Sequence, residues 1–229
     1  MTQSVDLANA INSFVKGCKT DGTWDAIKAC CIMAAWDGLT GALYPLKGPA
    51  PTNFNFVSGD YNRETGLVGN GSTKRIDSNR NANIDPLNSH HLSIYVTTAT
   101  SPGIYMSGES SGNRNGIYAN GASIGVPIRS GPALPGTGIA TTSTGLIAAS
   151  RVSASTINAR VAGVNVSIAN VSVTKPNQSI NVYCQNVSGS TSDFTNGRLS
   201  FYSIGESLDL ALLDNRVSTL MTDIGAAIP

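Results

Sequence analysis

The 229-residue sequence is short of charge: only 13% of its residues are Asp, Glu, Lys or Arg, and Lys+Arg 15 against Asp+Glu 14 leaves a formal +1. Neither a phosphate-tracking basic groove nor an acidic mimic of nucleic acid is supported, so no nucleic-acid partner is expected. Long apolar runs are missing as well. The longest, Ala29 to Trp36, is too short to cross a bilayer, and no membrane partner is expected. Cysteine is scarce, with Cys18, Cys30, Cys31 and Cys184 showing no C-x-x-C spacing and no neighbouring histidine, which removes the usual basis of a zinc site. Cys18 and Cys30 flank a short connection, but the reading adopted is of reduced cysteines acting as small core hydrophobes. Residues 1–6 lack the basic and apolar regions of a secretion signal, so the chain is expected to stay in the cytoplasm where it is made until lysis or assembly carries it out.

What the sequence has in plenty is neutral polarity. Ser 27, Thr 20 and Asn 21 make up about 30% of the chain, so the exterior is solvated by hydroxyls and amides, and Gly 24 adds turns. At 41% hydrophobic the chain carries enough apolar surface to fold, and at 229 residues it needs no disulfide staple.

Three stretches follow. Between Ser4 and Cys18, Leu7, Ile11, Phe14, Val15 and Cys18 paint one stripe of a helix. Thr23 is placed to cap a second helix running to Trp36, with Trp24, Ile27, Cys31, Ala34 and Ala35 as its stripe, so residues 1–48 are expected to form a helical hairpin. Pro45, Gly48 and Pro49 mark the boundary. Residues 49–204 hold short β-branched or aromatic runs separated by Gly, Asn and Ser: 92–97, 145–152, 158–161, 164–168, 179–185 and 198–204. Leu92, Ile94 and Val96 alternate with Ser93, Tyr95 and Thr97, the period of a strand with two distinct faces. Many such antiparallel strands imply a sandwich. In 205–229, Leu208, Leu210, Leu212, Leu213, Val217, Leu220, Met221 and Ile224 include a helical stripe over Glu206 to Ala227. That helix is expected to start at Ser203 or Gly205 and to pack on the amino-terminal helices.

Gly66 to Arg80 (Gly-Leu-Val-Gly-Asn-Gly-Ser-Thr-Lys-Arg-Ile-Asp-Ser-Asn-Arg) followed by Asp85 to Val96 resembles the opening strands of concanavalin A-like (LamG-like) jelly-roll domains of tailed-phage virion proteins. Asn196 to Arg216 resembles the last strand and trailing helix of the same group. With the amino-terminal segment through Asp-Gly-Thr-Trp24, the resemblance covers nearly the whole chain. It implies a mainly β, two-sheet antiparallel sandwich used in virions, either as an adhesion module on tail fibres or as a decoration of the head. On the residues alone, Gly66, Gly69 and Gly71 permit positive φ, and Asn70-Gly71 can turn one strand into the next.

Glycosidases on this fold need paired carboxylates, and their strand motif E-x-D-x-x-E begins at none of Glu64, Glu109 and Glu206. His90 and His91 are adjacent and would point to opposite faces of a strand, so each reads as structural. G-x-S-x-G and the phosphate-cradling P-loop are absent. The expectation is a protein that is not an enzyme and carries no cofactor.

Asp77, Asn79, Asn81, Asn83 and Asp85 place oxygens at every second residue, like the start of a calcium loop. The glycine and the closing glutamate of such a loop are replaced by Ala82 and Asn88. A calcium ion at Asp77, Asn79, Asn81 and Asp85 is therefore set against an Asn-rich loop bonding its own backbone, and the latter is favoured.

Ser107 to Tyr118 gathers amides, hydroxyls, one acid and one arginine in an expected exposed loop, the residue types that match sugar hydroxyls. Tyr105, Glu109, Asn113, Arg114, Asn115 and Tyr118 are the glycan-contact candidates, with Tyr105, Tyr118 and Tyr202 as the available stacking platforms. The leading functional expectation is a virion surface adhesin that contacts host-surface glycan, with capsid decoration as the alternative and a polysaccharide hydrolase behind both. Expected partners are other virion proteins and further copies of the chain, since neutral strand faces can lie together without repulsion; the resemblance implies a trimer, the common state of virion projections.

Overall fold

The computed structural model describes residues 2–100, 102–110, 112–119 and 121–228, with side chains from residue 6 onward. Two antiparallel sheets lie face to face. Along the main path of the nine-stranded sheet the order is Val164–Ala169, Thr156–Val161, Gly145–Arg151, His90–Thr98, Arg198–Gly205, Ile27–Ile32 and Pro45–Lys47. Gly66–Val68 joins it through Arg198–Gly205, and Tyr61–Asn62 pairs with Gly66–Val68. The six-stranded sheet runs Ile128–Ser130, Arg114–Ala119, Gly103–Ser107, Ser179–Val182, Arg75–Asn81 and Thr52–Phe54. Gln185–Val187 and Ser190–Ser192 form a separate small hairpin. This is the jelly-roll type of antiparallel sandwich expected from the sequence.

The middle of the nine-stranded sheet is buried on both faces. From His90–Thr98, Leu92, Ile94 and Val96 enter the core between the sheets, with Ile147, Ala149, Tyr202, Ile204, Ile117 and Val182. The opposite face carries Ile27, Cys30, Ile32, Leu146, Ala148 and Phe201. It is covered by Leu7, Ala10, Phe14 and Cys18 of the helix Thr2–Thr20 and by Leu213, Val217, Leu220 and Ile224 of the helix Leu210–Ala227. Phe14 and Phe201 meet edge to face at 5.8 Å. The two helices are tied by Arg216, whose Nε and Nη2 donate to Asp21 Oδ2 and Oδ1 at 2.7 and 2.9 Å. The expected packing of the last helix on the first is therefore present, and all four cysteines are free and buried.

The second helix of the expected hairpin is not formed: residues 27–32 are a strand. Its neighbours are Arg198–Gly205 and Pro45–Lys47. A strand covered on both faces has no polar face to alternate, so its apolar residues run together and match helical spacing as readily as strand spacing. Thr23 does not open a helix. Its N–H and Oγ1 both donate to the Cys18 carbonyl at 2.9 and 3.2 Å, closing the first helix instead. Residue 48 thus falls in the connection between an edge strand of one sheet, Pro45–Lys47, and an edge strand of the other, Thr52–Phe54. The carboxyl-terminal helix also begins later than expected. Ser203 and Gly205 complete a strand, and the cap is Asp209, whose Oδ1 accepts from the Ala211 and Leu212 amides at 2.8 and 3.1 Å. Of the three glycines assigned to positive φ, Gly66 and Gly71 have it, at 90° and 70°. Gly69 is there for space, because a Cβ on it would stand 2.1 Å from the Thr195 carbonyl oxygen.

Candidate functional site: a polar notch and a wider groove

The loop chosen from the sequence connects Gly103–Ser107 to Arg114–Ala119, and the structure divides its residues between surface and core; Ser111 lies outside the described residues. Strand alternation does the sorting. Tyr105 enters the sandwich and is fully buried, its hydroxyl against the Thr100 backbone at 3.3–3.4 Å. Tyr118 is buried too, with the Arg114 guanidinium 5.9 Å from its ring centre, and Tyr202 belongs to the inter-sheet core. None of the three can serve as a sugar platform. Asn115 is also removed from the surface. Its Nδ2 meets His90 Nε2 at 3.2 Å.

Glu109, Asn113 and Arg114 do converge. They line a notch of about 200 Å³ with Gly112, Pro132, Gln185 and Val187. Backbone pairing sets the geometry: the Glu109 N–H donates to Asn186 O at 2.8 Å and the Ser188 N–H to Glu109 O at 2.9 Å, which docks the Gln185–Val187 strand beside the loop. Gln185 Nε2 then sits 3.2 and 3.3 Å from the two Glu109 carboxylate oxygens. Burial pushes the Glu109 carboxyl above its ordinary value, against the opposing hydrogen bond from Gln185 and charge of Arg114. The notch thus combines a nearly buried carboxylate with amides and a guanidinium, and Pro132 and Val187 line it with apolar surface. Gln185 and Val187 carried no signal in the sequence, because only the docking of a distant hairpin brings them to the loop, and Pro132 comes beside it through the pairing of Ile128–Ser130 with Arg114–Ala119.

The residues proposed for calcium are dispersed. Asp77 Oδ1 accepts from the Asn79 amide at 2.8 Å and from the Ser179 hydroxyl. Asn79 turns its amide nitrogen to Ala50 O and Thr52 Oγ1, at 2.7 and 2.9 Å, and Asn81 donates to Asn177 Oδ1 at 2.9 Å. Asp85 lies inside, between Arg80 and His90. The segment Arg75–Asn81 is a strand, so its alternate residues share a sheet face and do not curl into a cage. Among the described residues no group of three or more His, Cys, Asp or Glu is gathered that could hold a metal ion.

A second, wider groove of about 650 Å³ lies between the hairpin Thr156–Val161/Val164–Ala169 and the start of the last helix. Asn158, Asn165, Ser167, Ser207 and Asp209 supply its polar groups and Val152 and Leu208 its apolar ones. Its charged groups are engaged elsewhere: Asp209 Oδ1 caps the helix, and the nearby Arg160 donates to Asp214 Oδ2 at 2.6 Å and to Asn165 Oδ1 at 2.9 Å.

No protein-family model matches the sequence, and no curated protein matches it. Solved structures match in fold. The botulinum neurotoxin serotype D binding domain aligns with 85% of this chain and 50% of its own at 9% identity and a TM-score of 0.53. A mutant Trypanosoma rangeli sialidase displaying trans-sialidase activity aligns with 92% of this chain and 39% of its own, again at 9% identity, with a TM-score of 0.51. Domain 4 of an extracellular arabinanase from Geobacillus stearothermophilus, in complex with arabinotriose, covers 83% of this chain and 97% of its own at 13% identity and a TM-score of 0.49. The chain spans half or less of the toxin and sialidase structures, and at these identities the likeness is one of β-sandwich architecture.

Proposed function

We propose that this protein is a non-enzymatic surface component of a tailed-phage virion whose sandwich contacts host-surface glycan at the notch around Glu109, Asn113, Arg114 and Gln185. The virion setting rests on the resemblance of residues 66–96 and 196–216 to phage jelly-roll domains. The glycan contact rests on one observation: a carboxylate paired with an amide, beside a guanidinium and two apolar side chains, in a notch about the size of one sugar ring. Planar polar groups satisfy ring hydroxyls, and Pro132 and Val187 meet the C–H face. A single such contact is weak, about 4 kcal/mol at a Kd near 1 mM, so useful attachment comes from many copies on one particle.

A glycan array probed with the full chain displayed multivalently tests this. Binding that falls at least tenfold in Glu109→Gln and Arg114→Ala supports the reading; binding to no glycan, or binding indifferent to both changes, overturns it. The burial of Tyr105, Tyr118 and Tyr202 favours a second reading, capsid decoration without any sugar site, because it leaves the notch without an aromatic platform. Cryo-electron microscopy of particles separates the two by where the chain sits. Release of reducing sugar from host polysaccharide would return the protein to the hydrolases.

A further inference from the structure

Sheets end in edges, and this molecule protects its edges unequally. Pro45–Lys47 contains a proline and a lysine; Thr52–Phe54 and Ile128–Ser130 are three residues each, the latter carrying buried Arg129. These are the ordinary devices that stop an edge from pairing. Val164–Ala169 has none of them: six residues, Val-Asn-Val-Ser-Ile-Ala, uncharged, without proline and in unbroken register with Thr156–Val161. The uncharged stretch continues to Thr174, and Val164 and Val171 are among the most exposed apolar residues of the chain.

Turn geometry decides which backbone groups are free. Val161 and Val164 flank a two-residue connection, Ala162-Gly163, with both φ positive at 48° and 81°. In such a hairpin the flanking residues exchange hydrogen bonds, so Val164, Val166 and Ile168 bond inward. The same parity continues beyond the strand, where the Asn170 N–H donates to Ser155 O at 2.9 Å and the Ser172 N–H to Ala154 O at 2.7 Å. Asn165, Ser167 and Ala169 therefore direct N–H and C=O away from the sheet.

We infer that this edge pairs antiparallel with the same strand of a second copy about a two-fold axis at Ser167. That register places Ser167 opposite itself and Asn165 opposite Ala169 of the second copy, so every outward N–H and C=O of the three residues gains a partner. It also sets Val166 beside Ile168 of the second copy on the face that packs toward the other sheet. The strand is its own complement in shape, and a chain of net charge +1 does not repel its copy. Asn165 and Ser167 also line the wider groove, so pairing runs the grooves of two copies together. The association is two-fold, in place of the trimer expected from the sequence, and it stands apart from the glycan reading.

Sedimentation of the full chain tests it. Wild type is expected at twice the 23.7 kDa of one chain. Ser167→Lys and Ser167→Asp each change an exposed side chain, so circular dichroism should report an unchanged fold, yet each sets like charges face to face. Self-association should weaken at least about tenfold in each. An equimolar mixture of the two variants should restore the dimer by opposite charge. Wild type that stays monomeric at every concentration overturns the inference and leaves the edge to a strand from another protein. A trimer, or a dimer indifferent to both substitutions, overturns it as well.

Discussion

His90 Nδ1 lies 3.1 Å from Asp85 Oδ2, with both side chains shut between the sheets. Burial holds the imidazole down to about 4 despite the opposing carboxylate. Burial works to raise the Asp85 carboxyl, but the hydrogen bonds and charges of His90 and Arg80 outweigh it and bring it to about 2. At neutral pH the pair is a carboxylate and a neutral ring: Nδ1–H donates to Asp85, and Nε2 accepts from Asn115 Nδ2. His91 is likewise held at about 4 by burial, its ring nitrogens 2.6 Å from Glu206 O and 2.9 Å from Ser203 Oγ.

Stability should therefore fall in acid. Both histidines titrate below their ordinary 6.5, so between 6.5 and about 4 the unfolded chain binds protons that the folded one refuses; the stabilisation is complete above 6.5 and is lost on the way down. Asp85 adds a second loss from 3.8 to about 2. Urea unfolding followed from about pH 7 to about pH 4 should show a steadily falling midpoint. A constant midpoint across that range would mean that the rings are not held neutral.

Asp85→Asn should destabilise strongly. The carboxylate pairs with Arg80 and favours the charged form of buried Arg129, and removing it leaves both guanidinium groups uncompensated, at a cost of about 3–5 kcal/mol. Equilibrium unfolding at neutral pH measures this. A loss below about 1 kcal/mol would show that the cluster is solvated.

Ala162→Asn should stabilise. Ala162 holds a left-handed φ of 48°, which asparagine adopts more readily than alanine, and an Asn-Gly pair suits this turn. The gain should be about 0.5–1 kcal/mol, visible as a higher Tm. A lower Tm would show that the turn is set by contacts of the alanine methyl.

Adjacent leucines of the last helix should behave oppositely. Leu213 is fully buried against the sheet, and Leu213→Ala should cost about 2–5 kcal/mol. Leu212 is 36% exposed, and Leu212→Ala should stay within about 0.5 kcal/mol. Equal effects in unfolding experiments would mean that the helix is not an integral layer.

The notch was half legible before the structure. Asn113 and Arg114 were readable because a run of polar residues between two strand-like segments marks a loop, and loops meet solvent, whereas Glu109 reaches the notch nearly buried. Tyr105 and Tyr118 were misjudged because each belongs to a flanking strand, where the pleat and not the composition chooses the face. Asp77, Asn79 and Asn81 likewise belong to a strand, which spaces their side chains along the sheet.

The sequence by itself determined what repeats over a few residues: the alternation of Leu92, Ile94 and Val96, the glycine-rich turns, the stripes of the first and last helices, and the neutral polar exterior. Tertiary structure decided what depends on a partner far along the chain. It made Ile27–Ile32 a strand, since an apolar run buried on both faces takes its conformation from its neighbours in the sheet. It brought Gln185 to Glu109 and left the outer edge of Val164–Ala169 without a neighbouring strand. Local spacing encodes which face of an element is apolar, but only the closing of long loops determines what that face meets.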